Sequence, residues 1–245
     1  LPAINWQFLS EVPQQGMRAG GIFPAIVGTF YLVSGAILFA LPIGLLAAVY
    51  LTEYAKDNLL TRIIKLAIVN LAGVPSVVYG LFGFALFVVF FKFGASILSG
   101  SLTLGIMILP VIITTSVEAL ESVPASFREV SLSLGVSKWQ TIRNIVLPNA
   151  VPGILTGTIL GLGRAAGETA PILFTVAAFY LPQLPASIFD QAMALPYHLY
   201  VISTQVPNVD EKVRYGTAFV LLALVLSMNL VAIVIRSKFR KKKKW

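Results

Sequence analysis

The sequence contains no cysteine, which excludes disulfide bonds, thiolate-ligated zinc and cysteine-bound iron–sulfur clusters. It has a single histidine, His198, with no carboxylate or nucleophile spaced around it for metal binding or catalysis. The phosphate-binding loop G-x-x-x-x-G-K-[ST] is missing, and so are the hydrolase motifs H-E-x-x-H and G-x-S-x-G. We therefore expect no enzymatic activity and no metal or cofactor bound by this chain.

Charged residues are also scarce. They make up 11 % of the chain against about 25 % in soluble globular proteins, while 57 % of the residues are hydrophobic. Stretches of 20 or more residues without a charge lie at 19–52, 66–91, 93–117, 144–163, 169–189 and 215–235. Because a helix needs about 20 apolar residues to cross a bilayer, the composition predicts an all-α polytopic membrane protein. A soluble enzyme and a nucleic-acid-binding domain are excluded, although the formal net charge is +8.

Basic residues indicate how the chain crosses the membrane. The stretch 236–244 holds seven of them, and such a cluster stays in the cytoplasm and is attracted to anionic lipid. Counting back gives one transmembrane domain with five spans, at about 23–51, 66–91, 98–117, 149–180 and 216–235. The cytoplasmic segments, including loops at 52–65 and 118–148, then carry 13 basic and five acidic residues, whereas the outer segments are neutral. Since five spans put the N-terminus outside, a sixth helix is expected before Leu1.

The uncharged stretches 144–163 and 169–189 are interpreted as one span. Two helices there would add a crossing, which would export either the basic C-terminal tail or the charged stretch 118–148. Residues 164–168 are also too few and too rich in alanine for a turn between helices. We therefore expect one long helix over 149–180 that contains Arg164 and Glu168.

The polar stretch 118–148 contains two signals for the start of a helix. Ser126 and Glu129 have the spacing of a capping box, and so have Ser137 and Gln140. Gly135 suits the left-handed residue that follows a helix. The pattern predicts a short helix, a glycine turn and a second helix that leads into the next span. From this pattern alone, a hairpin on the lipid headgroups is one interpretation.

The spacing of this hairpin resembles the EAA loop of the permease subunits of ABC importers. That motif reads EAA, three residues, Gly, nine residues, Ile, one residue, Leu-Pro, and it is matched by Glu129, Gly135, Ile145, Leu147 and Pro148. Val130 and Ser131 replace the two alanines. In that family the loop docks as a coupling helix on a separate ATPase subunit. The resemblance implies that these residues, with Ser126 and Ser137, couple to an ATPase that binds the ATP and magnesium.

Three glycines at regular spacing predict a close helix contact. Gly153, Gly157 and Gly161 recur every four residues, and small residues at that period let a second helix approach closely in a membrane. The second helix belongs either to this chain or to a second permease, and the sequence leaves both possibilities open.

Arg164 and Glu168 lie one helical turn apart within the expected fourth span. An isolated charge at the bilayer centre costs about 2.5–3.5 kcal/mol on insertion scales, so such residues pair or face an aqueous path. One interpretation is a self-satisfied ion pair without a transport role. The other is that Arg164 meets an anion, because its planar set of donors suits phosphate-like oxyanions. Glu168 then neutralises Arg164 when no substrate is present.

Residues 163–171, Gly-Arg-Ala-Ala-Gly-Glu-Thr-Ala-Pro, resemble the signature of phosphate-uptake permeases of the PstA and PstC type. Residues 73–80 resemble a second segment of these proteins. Pro75 lacks an amide and breaks the helix there, which leaves either a polar path or a plain proline kink. The resemblance implies a phosphate path lined by Arg164, Glu168, Ser76, Tyr79 and Thr169. The order of spans and motifs favours the PstA type.

The same resemblance implies partners and a location. They are a PstC-type second permease, two PstB-type ATPases and a PstS-type extracytoplasmic phosphate-binding protein, in the bacterial cytoplasmic membrane with the C-terminus in the cytoplasm. Two alternatives stay open. The cargo could be sulfate, molybdate or a phosphonate, or the chain could be a proton- or sodium-coupled carrier that needs no ATPase.

Overall fold

The computed structural model describes residues 5–241, with side chains from 5 to 238. Four helices are long and apolar enough to cross a membrane, namely Phe23–Tyr54, Ile97–Glu121, Lys138–Gly167 and Glu211–Lys238. A bent pair, Leu59–Ala72 with Ser76–Phe90, brings the number to five if it counts as one span. The described part of the chain is therefore the multi-span helical protein that the composition predicts. Lys242–Lys244 of the basic tail lie outside the described residues.

The N-terminal half begins with a short helix and a two-stranded antiparallel hairpin that pairs Pro13 with Gly20 and Gln14 with Ala19. Its elements in chain order are α1 (Trp6–Ser10), β1 (Pro13–Gln14), β2 (Ala19–Gly20), α2 (Phe23–Val49), α3 (Leu59–Ala72), α4 (Ser76–Gly83) and α5 (Ile97–Glu121). Two π-helical segments continue α2 and α4, over Tyr50–Tyr54 and Phe84–Phe90 respectively.

The C-terminal half is entirely helical in its regular elements. They are α6 (Ala125–Ser133), α7 (Lys138–Thr141), α8 (Leu147–Gly167), α9 (Ala170–Thr175), α10 (Leu195–Thr204) and α11 (Glu211–Lys241). A π-helical turn, Ile142–Val146, joins α7 to α8, so the two run on as one helix.

The predicted span 66–91 is divided at Pro75, where the sequence predicts a break in the helix. Its first part belongs to α3, and its second part to α4 and the π-helical segment that follows. Gly73 closes α3 by donating its N–H to the carbonyls of Asn70 and Leu71, and Pro75 then precedes α4, where its missing N–H costs no bond. α3 begins at Leu59, within the predicted loop 52–65, and the side chain of Asn58 caps its first turn.

The predicted helix over 149–180 is displaced toward the N-terminus. The observed helix runs from Lys138 to Gly167, and a separate short helix, α9, starts at Ala170. Pro171 explains this end, because a proline ring clashes with the carbonyl four residues earlier in a continuous helix, which here is that of Gly167. Arg164 consequently lies in the last turn of α8 and Glu168 just after its end, at a break between two helices.

The chain forms two compact units. Within the described residues, the first consists of 5–39, 74–107 and 163–228, and the second of 40–73, 108–162 and 229–241. In the first unit the fully buried side chains include Leu32, Leu104, Ile172, Leu195 and Ile202. The second unit has an apolar cluster made of Ala48, Val49, Ala119, Leu120, Val123, Ile142, Val146, Ala150 and Ile154.

Candidate functional site

The predicted ion pair between Arg164 and Glu168 is present in the first unit. Nε of Arg164 lies 3.4 Å from Oε1 of Glu168, and the two side chains are 31 % and 18 % exposed. Arg164 belongs to the last turn of α8, where the unpaired carbonyls carry partial negative charge and favour a cation. Glu168 follows directly after the helix ends at Gly167. The pair is half-buried and held by one long contact.

Arg164 keeps most of its hydrogen-bonding capacity unused. A guanidinium has five N–H donors. Within residues 5–238 the side chain of Arg164 makes one hydrogen bond, the contact with Glu168. Four donors are therefore available to a ligand, which matters because oxyanions such as phosphate bind best to several convergent N–H groups.

Tyr79 lies beside this pair because α4 packs closely on α9. A Cβ on Gly80 would lie 3.0 Å from the carbonyl oxygen of Ala170 and from Cα of Pro171, so only glycine allows this approach without a shift. The neighbouring Tyr79 is buried, and the charge of Arg164 acts on its hydroxyl. Its place in a substrate path remains a prediction.

Ser76 and Thr169 are less closely tied to the pair. Ser76 is the first residue of α4, and Thr169 is the residue that precedes α9 without a capping bond from its side chain. No hydrogen bond links either hydroxyl to Arg164 within the described side chains. Their place in a substrate path remains a prediction.

The coupling hairpin, defined here as α6, α7 and the turn between them, lies in the second unit. The capping box at Ser137 is confirmed, with the Gln140 N–H donating to Ser137 Oγ at 3.3 Å and the Ser137 N–H to Gln140 Oε1 at 3.1 Å. Gly135 has a φ of +77°, the left-handed conformation expected after the first helix. The capping box at Ser126 is wrong, because α6 already starts at Ala125, directly after Pro124, and Ser126 lies inside the helix.

The coupling hairpin exposes both charge and apolar surface. Glu129 is exposed and makes no ion pair among the described side chains. Four large apolar side chains are at least half exposed, namely Val130, Leu132, Leu134 and Trp139. Ile145 and Leu147 are half-buried, Leu147 packs against the apolar cluster of the second unit, and Pro148 lies in the first turn of α8. An apolar surface of this kind is typical of a binding face.

The glycines of α8 pack against α5 of the same chain. A Cβ on Gly153 would lie 2.5 Å from Cβ of Ala119, and one on Gly157 would overlap Oγ1 of Thr115. At Gly161 the nearest atoms belong to Ile108 and Ile112, both at 3.5 Å. Of the two possibilities that the spacing leaves open, the structure shows the helix contact within the chain.

His198 is fully buried in α10, outside the candidate membrane-spanning helices. Burial lowers its pKa from 6.5 to about 4, so the ring is neutral at physiological pH. Among the described residues no group of three or more His, Asp or Glu side chains is placed to hold a metal ion.

Two residues of the second unit are missed by the sequence analysis. Arg128, next to Glu129 on α6, donates from Nη2 to Oε1 of Glu53 at 2.7 Å, and Glu53 belongs to the π-helical turn after α2. The Glu53 side chain is 8 % exposed, which makes this the most buried ion pair among the described residues. The partners are 75 residues apart, and no local pattern connects them.

Comparison with known proteins decides the family. Residues 40–245 match the family model described as "Binding-protein-dependent transport system inner membrane component". The chain belongs to this family. Among curated relatives of this inner-membrane component, the "Probable ABC transporter permease protein YqgI" of Bacillus subtilis is 35 % identical over 94 % of this chain and 82 % of the relative.

Other relatives carry the name "Phosphate transport system permease protein PstA". PstA 1 of Mycobacterium tuberculosis is 38 % identical over 89 % of this chain and 71 % of that protein. PstA of Xylella fastidiosa is 32 % identical over 97 % of this chain and 83 % of its own length. The resemblance stated from the motifs around Arg164 is therefore confirmed across most of the chain.

Solved structures share the fold. A chain of the MetNI methionine ABC transporter in an inward-facing conformation superposes with a TM-score of 0.70, covering 89 % of this chain and 97 % of its own, at 16 % identity. A bacterial ABC transporter involved in alginate import gives a TM-score of 0.64 over 92 % and 80 %, at 13 % identity. The expected fold, an ABC importer permease bundle, is confirmed.

Proposed function

We propose that this chain is the membrane-spanning permease subunit of an ATP-driven importer of inorganic phosphate. The main observation behind this proposal is Arg164, a half-buried arginine at a helix break. Four of its N–H groups donate no hydrogen bond to any described protein atom. Relatives named as phosphate permeases at 32–38 % identity support the choice of phosphate among the oxyanions.

Glu168 suits the need to release the anion as well as to bind it. A lone arginine in a low-dielectric path would hold phosphate strongly. The carboxylate of Glu168, 3.4 Å from Nε, satisfies the guanidinium when phosphate is absent and repels the anion when it is present. Because the contact is long and partly solvated, it holds Arg164 only weakly and is easily exchanged for phosphate oxygens.

The coupling hairpin is the second part of the proposal. Its exposed apolar residues and Glu129 would dock in a groove of a PstB-type ATPase, which would bind ATP and magnesium. A PstC-type permease would complete the path, and a PstS-type binding protein would deliver phosphate from outside. This arrangement puts the coupling hairpin and the C-terminus in the cytoplasm, on the side favoured by the basic residues of the tail.

The test is phosphate uptake by the assembled importer. Arg164→Gln removes a charged hydrogen-bonding partner worth about 1.5–3 kcal/mol, which predicts uptake lowered by about tenfold to a hundredfold. Arg164→Lys keeps the positive charge but loses the planar set of guanidinium donors, so we expect a phosphate uptake rate between those of the wild type and Arg164→Gln. Arg62→Gln is the matched control, because Arg62 is also ion-paired but 71 % exposed. Normal uptake by an assembled Arg164→Gln complex contradicts the proposal.

Two further measurements separate the alternatives. Excess unlabelled sulfate, molybdate or phosphonate should leave the uptake of labelled phosphate unchanged, whereas strong competition by one of them would reassign the cargo. Uptake driven by a proton or sodium gradient without ATP would indicate an ion-coupled carrier, and it would leave the coupling hairpin without a role.

A further inference from the structure

We propose that Arg128 is the positioning residue that transmits movement of the coupling hairpin to the membrane-spanning helices. The proposal rests on the proposed function, because it assumes that a partner ATPase moves this hairpin. Arg128 does not touch the substrate, and its role is to make α6, the end of α5 and the end of the first span move as one body.

The contacts of Arg128 join three elements. Nε and Nη2 form a fork on Glu53, with distances to Oε1 of 3.1 and 2.7 Å. Nη1 donates to the carbonyl oxygen of Val123 at 2.7 Å, and Nη2 also donates to that of Leu120 at 2.9 Å. Leu120 belongs to the last turn of α5, and Val123 lies two residues after this helix ends, so Arg128 holds the C-terminal end of α5 and the chain just beyond it while it holds Glu53.

Arg128 differs from Arg164 in the number of its N–H groups that are bonded to the protein. Four of its five N–H groups are bonded to the protein, which leaves almost no capacity for a ligand. The Glu53 side chain is 8 % exposed, so loss of Arg128 would leave a buried carboxylate without its charge partner. The ion pairs Arg62–Asp57 and Lys65–Glu121 of the same unit are exposed and exert no comparable constraint.

Two more contacts strengthen the same connection. Nζ of Lys138, at the start of α7, lies 4.9 Å from the centre of the Tyr54 ring, which belongs to the same π-helical turn as Glu53. Within the coupling hairpin, the hydroxyls of Ser131 and Thr141 form a buried hydrogen bond of 2.8 Å that ties α6 to α7. Both helices of the hairpin therefore contact the end of the first span.

Arg128 and Glu129 are adjacent but differ in exposure. Glu129 is exposed and available to a partner, whereas Arg128 is bonded within the second unit. Movement of the exposed surface of α6 is therefore transmitted to Glu53, Leu120 and Val123 through the hydrogen bonds of the planar Arg128 guanidinium. Phe127 on the same helix adds apolar contact with the cluster of the second unit.

The first experiment compares phosphate import with ATP hydrolysis in the purified importer reconstituted in vesicles. Arg128→Gln and Glu53→Gln should leave ATP hydrolysis near the wild-type rate and lower the phosphate imported per ATP by about tenfold, within the range for mutations along a coupling network. Arg128→Lys should recover part of that ratio. Arg62→Gln, which breaks the exposed ion pair between Arg62 and Asp57, should keep the wild-type ratio of phosphate imported per ATP. Equal losses of import and hydrolysis, or an unchanged ratio in Arg128→Gln, overturn the proposal.

A second measurement is independent of the cargo. Because the chain has no cysteine, spin labels can be placed only where they are wanted, at Ser133→Cys on α6 and Lys56→Cys after the first span, both exposed. The distance between the labels should be narrowly distributed in the wild type and in Arg62→Gln, and clearly broader in Arg128→Gln. An unchanged distance distribution in Arg128→Gln refutes the proposed role of Arg128, whatever the cargo. Failure to import labelled phosphate would instead refute the proposed function and leave the distance measurement valid.

Discussion

The buried, neutral side chain of His198 makes the stability of this protein depend on pH. His198 is 2 % exposed, and Nδ1 has no hydrogen-bond partner among the described atoms. Its pKa of about 4 in the folded chain lies below the ordinary 6.5, since burial disfavours the charged ring. The unfolded chain therefore takes up a proton at a higher pH than the folded chain, and acid shifts the balance toward unfolding.

The size of the effect follows from the two pKa values. Stability begins to fall near pH 6.5 and continues to fall down to about pH 4, where the folded ring also becomes protonated. Between pH 7 and pH 5 the loss is about 2 kcal/mol, and over the whole range it is on the order of 3 kcal/mol. For a chain of this length the first of these values corresponds to a melting temperature lower by about 4–8 °C.

The assay is thermal unfolding of the detergent-solubilised protein at pH 7 and pH 5. His198→Gln is the comparison, because glutamine is polar and does not titrate. Acidic residues contribute equally to both proteins, so the difference between their pH responses isolates His198. The same melting-temperature shift in the wild type and in His198→Gln would refute the account of a buried neutral ring.

Three further predictions concern stability and are measured by the same unfolding assay. Ser137→Ala removes the capping box of α7 and should cost about 1 kcal/mol, whereas Ser126→Ala should cost little. Gly157→Ala should cost about 1–3 kcal/mol through overlap with Thr115, and Thr115→Gly should relieve part of that loss. Thr29→Val leaves the buried N–H of Leu195 without its acceptor at 2.8 Å and should cost about 1–3 kcal/mol. Effects near zero for Gly157→Ala or Thr29→Val would contradict the packing described.

Much of the fold could be predicted from the sequence because a bilayer imposes a strong and simple constraint. Long uncharged stretches predict spans because the backbone in a bilayer has no water to bond, and the candidate spanning helices lie on all of these stretches except 169–189. The turn at Gly135 and the cap at Ser137 were equally predictable, since both depend on residues within a few positions of each other.

Helix ends were the weaker part of the prediction, and proline is the physical reason. Pro75 is recognisable as a helix breaker from the sequence, whereas the close packing of α4 on α9 at Gly80 joins residues about 90 positions apart and follows from no local pattern. At the other break, the side of the membrane expected for the basic tail and the stretch 118–148 favoured one continuous helix to residue 180. Pro171 instead ends α8 at Gly167, because its ring excludes the carbonyl four residues earlier.

The difference between the two buried arginines could not be read from the sequence at all. Arg128 and Arg164 each lie within four residues of a glutamate in a motif that resembles a known family, and the local pattern attaches the functional expectation to Glu129 and Arg164. The number of bonded donors separates them, because Arg128 uses four N–H groups on partners up to 75 residues away and Arg164 uses one. A guanidinium whose donors are nearly all bonded to the protein has little capacity left for a ligand, whereas one with most donors unbonded keeps that capacity. This difference in bonded donors is the physical basis for proposing anion binding at Arg164 and transmission of movement at Arg128.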